Sequence, residues 1–136
     1  MHTAAQIRAE AHASALRVLR SLELPPGTAL AATGSFARNE MTPHSDIDVI
    51  LIYPEGHEPD PTLVEQLWYP VWDAKYRLDY ALRTPQECGA IAAEDASAGF
   101  AQLDLAFVAG RKVLVDEARA QLLAAWRRQL QRGFDD

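Results

Sequence analysis

The hydrophobic positions change period along the chain, and each change marks an element. Near the start they recur at helical spacing. Ile7, Ala11, Ala15, Val18, Leu19 and Leu22 form one stripe, with Arg8, Arg17 and Arg20 largely off it. This predicts a helix over residues 3–22. Leu24-Pro25-Pro26-Gly27 stops that helix and turns the chain. Thr28 to Thr33 is a short apolar run of the kind found in buried strands. Gly34-Ser35 breaks it, and Phe36 to Met41 has room for one or two helical turns. Asp46 to Tyr53 carries the strongest strand signal, because Val49-Ile50-Leu51-Ile52 is apolar on both faces, as in a central strand covered on both sides.

Residues 54–61 read as a loop, with Thr62 as the expected N-cap of a helix placing Leu63, Val64, Leu67, Trp68, Val71 and Trp72 on one face. On this reading Trp68 and Trp72 are core residues, and Pro70 kinks or splits the helix. Tyr76 to Arg83 alternates: Tyr76, Leu78, Tyr80 and Leu82 point one way, and Arg77, Asp79, Ala81 and Arg83 the other. Thr84-Pro85-Gln86-Glu87 has the form of a capping box with proline at the first helical position. Helical segments are expected from there to about Ala109, with a break near Glu94-Asp95. A short extended piece is expected over Lys112 to Val115, then a final helix over residues 116–132. The fold class implied is α/β in the broad α+β sense, a small mixed sheet flanked by helices.

Composition narrows the class. A chain of 136 residues has room for one domain with a real core, here expected to span residues 1–136, with its central part over about residues 24–115, an N-terminal helix over 3–22 and a C-terminal helix over 116–132. Thirteen Lys and Arg against nineteen Asp and Glu give a net charge of −6, which argues against nucleic acid as a partner. Cys88 is the only cysteine, so an intrachain disulfide is excluded, and its helical position suits packing better than nucleophilic chemistry. No signal peptide is apparent at the first residues and no apolar run is long enough to span a membrane, so the expected location is cytoplasmic. His2, His12 and His57 lack metal-ligand spacing and read as surface residues, as does His44.

The candidate chemistry lies in Gly34-Ser35 followed by Asp46-Ile47-Asp48. Two aspartates two apart on a strand leave the same face and repel, and a divalent cation relieves that repulsion. Asp79 lies on the polar face of the alternating strand. If the two strands are neighbours, it completes a three-carboxylate site as third ligand or general base. Gly34 permits a backbone conformation closed to other residues and close approach by phosphate, and Ser35 adds a hydroxyl. An Asp-x-Asp alone is more often a solvated strand end. The combination of strand, Gly-Ser, ten further residues, Asp-apolar-Asp and a later apolar-Asp-apolar is far more specific.

That combination resembles the nucleotidyltransferase superfamily that includes DNA polymerase β. The stretch Gly34-Ser35-Phe36-Ala37-Arg38-Asn39-Glu40 through Pro43-His44-Ser45-Asp46-Ile47-Asp48 is similar to the signature of the PII uridylyltransferases. Leu67-Trp68-Tyr69-Pro70-Val71-Trp72-Asp73-Ala74 and Arg83-Thr84-Pro85-Gln86-Glu87-Cys88 resemble segments of the actinobacterial members. The resemblance covers roughly residues 24–115. It implies a polymerase β-like fold and transfer of a nucleoside monophosphate, from UTP or ATP, to a tyrosine of the PII nitrogen-signalling protein. Asp46, Asp48 and Asp79 would serve as Mg²⁺ ligands and catalytic groups, and Gly34, Ser35, Arg38 and Ser45 as nucleotide-binding residues. Lys75-Tyr76 departs from the family's Gly-Leu, and the His-Asp dipeptide of its nucleotide-removing domain does not occur. The chain is therefore expected to be an excised catalytic domain or a shortened relative. Two other readings stay open: a compact antitoxin-type nucleotidyltransferase, and a nucleotide- or partner-binding module without turnover.

Overall fold

The computed structural model describes residues 3–37, 46–94 and 105–135. Thr3 opens helix α1 (Ala4–Arg20) with a reciprocal capping box. Its hydroxyl accepts from the Gln6 N–H at 3.1 Å, and the Gln6 side chain accepts from the Thr3 N–H at 2.7 Å. Ala15 and Leu19 are fully buried, whereas Ile7, at the front of the predicted stripe, is exposed. Only the later part of α1 is covered.

Four strands form one sheet in the order β3-β2-β1-β4, with β1 Ala29–Ala32, β2 Ile47–Ile52, β3 Leu78–Arg83 and β4 Ala106–Gly110. β1 runs antiparallel to both neighbours and β2 parallel to β3. The mixed sheet flanked by helices is the expected class. β2 behaves as its sequence implies: Val49 and Leu51 enter the core under α1, while Ile50 and Ile52 enter a second core on the other face. That second core is closed by α5 (Pro85–Glu94) and α6 (Lys112–Asp135).

β4 and the start of α6 reverse two expectations. Residues 106–109 are strand, not helix, and Lys112 to Val115 is the start of α6, not an extended piece. A five-residue apolar run has no period of its own to separate the two states. Pairing decides it, with Ala31 opposite Phe107 and Ala32 opposite Ala106. Gly110 then ends the strand at φ 88, where a Cβ would collide with the Thr28 carbonyl oxygen. The Arg111 N–H donates to that oxygen at 3.1 Å.

The crossover from β2 to β3 holds α3 (Pro61–Leu67) and α4 (Tyr69–Asp73). The N-cap is Asp60, not Thr62: the Asp60 carboxylate accepts from the Thr62 N–H at 2.9 Å, and Pro61 takes the first helical position, where no N–H is needed. The split falls at Trp68, so Pro70 lies in the first turn of α4. The apolar stripe itself runs on across the split, with Val64, Leu67, Trp68 and Val71 buried at i, i+3, i+4 and i+7. Trp68 is fully buried, but Leu63 and Trp72 are exposed, against expectation. His12 departs as well. It is half-buried against Phe36, ring centroids 4.7 Å apart, and burial followed by the nearby Arg20 charge lowers its pKa. Cys88 is buried and its thiol is pushed up to about 11, chiefly by burial, which suits packing and not nucleophilic chemistry.

The box at the start of α5 forms as predicted. Glu87 Oε1 accepts from the Thr84 N–H, and the Thr84 hydroxyl accepts from the Glu87 N–H, both at 3.1 Å. Thr84→Ala is expected to lower unfolding stability by about 1–2 kcal/mol. Thr62→Ala, outside any cap, should stay within about 0.5 kcal/mol. Urea denaturation of both variants checks this, and equal losses would contradict the cap assignment.

Candidate functional site

Three chain segments meet at one end of the sheet. The Thr33 N–H, just past β1, donates to the Asp48 carbonyl at 2.9 Å, and the Ile47 N–H donates to the Arg77 carbonyl at 2.8 Å. These bonds hold the end of β1 against the starts of β2 and β3. Asp48 is then the direct register partner of Asp79. Neighbouring strands lie about 4.8 Å apart, so the two side chains leave the same face side by side. Asp46 follows the same alternation one step before β2. Asp48 is half-buried, and Asp46 and Asp79 are exposed.

The electrostatics reflect that crowding. Burial raises the Asp48 pKa most, and the negative charges of Asp79 and Asp46 raise it further. Gly34 closes the other side. Its φ is 62, and a Cβ built there would lie 3.3 Å from Asp48 Oδ2. Only a residue without a side chain leaves that space open beside the carboxylate. α2 (Gly34–Ala37) follows at once and anchors through the fully buried Phe36.

The structure thus gathers Gly34, Asp46, Asp48 and Asp79. Ser35 lies on α2, while Arg38, Ser45 and His44 fall outside the described residues. Arg83 sits at the far end of β3, where its guanidinium donates to the Leu82 carbonyl at 2.9 Å. Trp68 and Tyr80 pack on each other at 4.8 Å on the opposite sheet face from the carboxylates. Thr33 was not singled out from sequence. Its contribution is a backbone N–H, and no side-chain pattern signals that.

A surface cavity of about 530 Å³ lies elsewhere, lined by Tyr53, Glu55, Glu58, Thr84 and Glu87. These residues follow the C-terminal ends of β2 and β3, where Tyr53 and Thr84 lie about 17 Å along the strands from Asp48 and Asp79. Its glutamates would repel a triphosphate. Among the described residues, no three His, Cys, Asp or Glu side chains form a ready-made metal cage. The aspartates still fit a hard divalent cation. Such ions take one or two carboxylates and complete their shell with water and phosphate oxygens, and the Asp48 crowding is what a cation would relieve.

The sequence profile of the family described as "Nucleotidyltransferase domain" matches residues 14–99. The chain belongs to that family. The nucleotidyltransferase domain is 53% identical, over 99% of its length, to a bifunctional uridylyltransferase/uridylyl-removing enzyme of Corynebacterium glutamicum. It is 37% identical over 76% of its length to the enzyme of that name from Streptomyces coelicolor. It spans only 19% and 12% of those two relatives. In fold it is similar to a chain of a toxin–antitoxin structure with AMP-PNP, at TM-score 0.51 and 14% identity, covering 94% of this chain and 96% of that one. Nucleotidyltransferases of this fold generally use divalent metals.

Gly34→Ala should cost about 1–2 kcal/mol, because a side chain is forced into the left-handed region. The readout is a lower urea midpoint at unchanged slope. A variant as stable as the parent would contradict the turn geometry.

Proposed function

We propose that this domain transfers a nucleoside monophosphate, UMP or alternatively AMP, from a nucleoside triphosphate to a tyrosine of the PII signalling protein. The observation that carries the proposal is the register pairing of Asp48 with Asp79 beside the open space at Gly34. The name carried by both relatives, one of them aligned over 99% of this chain, supports uridylyl transfer as the specific form. Residues 1–136 are read as a single catalytic domain acting in nitrogen regulation.

The acceptor oxygen attacks the α-phosphorus. A P–O bond forms, the bond between the α-phosphorus and the bridging oxygen breaks, and pyrophosphate leaves. Asp46 and Asp48 would hold Mg²⁺, with Asp79 as third ligand or as the base that takes the hydroxyl proton. When held there, Mg²⁺ would supply charge neutralisation for the transferring phosphoryl group, with two ions as in the two-metal scheme. Gly34 leaves room for the triphosphate next to Asp48, Ser35 and Arg38 are assigned to phosphate contact, and Ser45 to hydrogen bonding near the metal. Most of the work is positioning and electrostatic stabilisation.

The test is transfer from labelled UTP and ATP to PII with Mg²⁺. The domain should label PII, and Asp46→Asn or Asp48→Asn should each lower the rate by at least about a hundredfold, the scale of losing one stabilising group. In metal-free buffer at pH 7, Asp48→Asn should melt no lower than the parent. Its carboxyl is harder to ionise when folded, so the charged form weakens the fold there. Undiminished labelling by the Asp46→Ala, Asp48→Ala double variant would overturn the assignment. A stable complex with a different partner and no action on PII would favour the antitoxin-type reading.

A further inference from the structure

β3 carries Asp79 and forms the edge of the sheet. Among the described residues it pairs only with β2. The Arg77 and Arg83 carbonyls accept from the Ile47 and Tyr53 N–H groups of the β2 side. A strand alternates its backbone direction with period two, so Asp79 and Ala81 also point inward, towards β2. The N–H and C=O groups of Leu78, Tyr80 and Leu82 then point outward, away from the sheet.

Proteins usually blunt such an edge with charged side chains, proline, a bulge or a covering element. Leu78-Asp79-Tyr80-Ala81-Leu82-Arg83 contains no proline, its register with β2 is unbroken, and its charges are Asp79, at the site itself, and Arg83, at the far end. Side chains on the two faces of this edge differ sharply. On one face Asp79 stands beside Asp48. On the other Leu78 and Leu82 border the core, and Tyr80, 39% exposed, rests on Trp68. Trp68 is followed in the chain by Tyr69, which makes an exposed edge-to-face pair with Trp72 at 5.7 Å. Among the described residues the edge therefore offers unpaired backbone, carboxylate on one side and the Tyr80 ring over Trp68 on the other.

We propose that the acceptor docks here as an extended polypeptide strand added to the outer edge of β3. The inference rests on the transfer reading above and specifies how its acceptor is held. An added strand lies about 4.8 Å beyond β3, and the residue opposite Asp79 sends its side chain off the same face. A hydroxyl-bearing side chain at that position borders the Asp79–Asp48 pair. The residues immediately before and after it send their side chains to the face of Leu78 and Tyr80. The partner that fits is an extended protein segment whose acceptor hydroxyl is flanked on both sides by apolar or aromatic residues. Only a polypeptide backbone matches alternating N–H and C=O groups, and the net charge of −6 disfavours a phosphodiester strand in the same place.

The experiment is residue-resolved amide exchange on the domain, alone and with saturating PII, Mg²⁺ and a non-hydrolysable UTP analogue. Free Leu78, Tyr80 and Leu82 amides should exchange fast, and PII should slow them at least about tenfold. In parallel, a synthetic peptide spanning the PII acceptor tyrosine is N-methylated at one backbone position at a time. Transfer should fall at every second position and persist at those between. Binding or labelling of PII with the three amides unprotected and no alternation would overturn the docking mode and leave the transfer reading standing. No binding and no labelling of PII would overturn both.

Discussion

The parallel pairing of β2 with β3 is the constraint on which the rest depends. Parallel neighbours cannot be joined by a tight turn, so the chain must leave the sheet, cross one face and return. The segment carrying α3 and α4 makes that crossing and seals the core with Trp68 and Val71 on the way. The return sets the register that puts Asp79 opposite Asp48. A slip of one residue would send Asp79 to the Trp68 face and Tyr80 to the carboxylate face. The apolar alternation of Leu78, Tyr80 and Leu82 against the core resists that slip. Packing of one face thereby positions chemistry on the other.

Crowding carboxylates works against folding, and the site shows how the structure tolerates it. Asp46 and Asp79 stay solvated, where their charges are screened, and only Asp48 is partly withdrawn from water. The backbone beside them is tied by the Thr33 and Ile47 N–H bonds, so repulsion cannot splay the strands. Gly34 keeps the adjacent space free of any side chain. A cation with phosphate oxygens would fit both the charge and the space left there.

The strongest sequence signals were those tied to one local rule. The Thr84 box, the helix stop at Pro25-Pro26, the two-faced β2 and the shared face of Asp46 and Asp48 all follow from spacing within a few residues. Features set by distant partners were not legible. β4 has no period of its own and exists because β1 offers an edge, and Leu63 and Trp72 lie at the two margins of the Val64, Leu67, Trp68 and Val71 stripe, where neighbouring elements rather than spacing decide exposure. Lys75 is an instructive middle case. It stands where the family resemblance leads one to expect glycine, and the structure gives it φ 70, a left-handed turn into β3 that glycine adopts more easily. A lysine at that φ carries strain of about 1–2 kcal/mol that a glycine would not. The adjacency of Asp48 and Asp79 was expected only on condition that their strands were neighbours, which no short-range pattern decides.

The most direct test of the central claim is the position of a bound metal and triphosphate. A crystal of the domain soaked with Mn²⁺ and a non-hydrolysable UTP analogue would locate the metal by its anomalous scattering. The account predicts metal at Asp46 and Asp48, at carboxylate distances of about 2.0–2.2 Å, with the triphosphate alongside Gly34. Metal and triphosphate at the cavity near Tyr53 and Thr84, at the other end of the sheet, would contradict it.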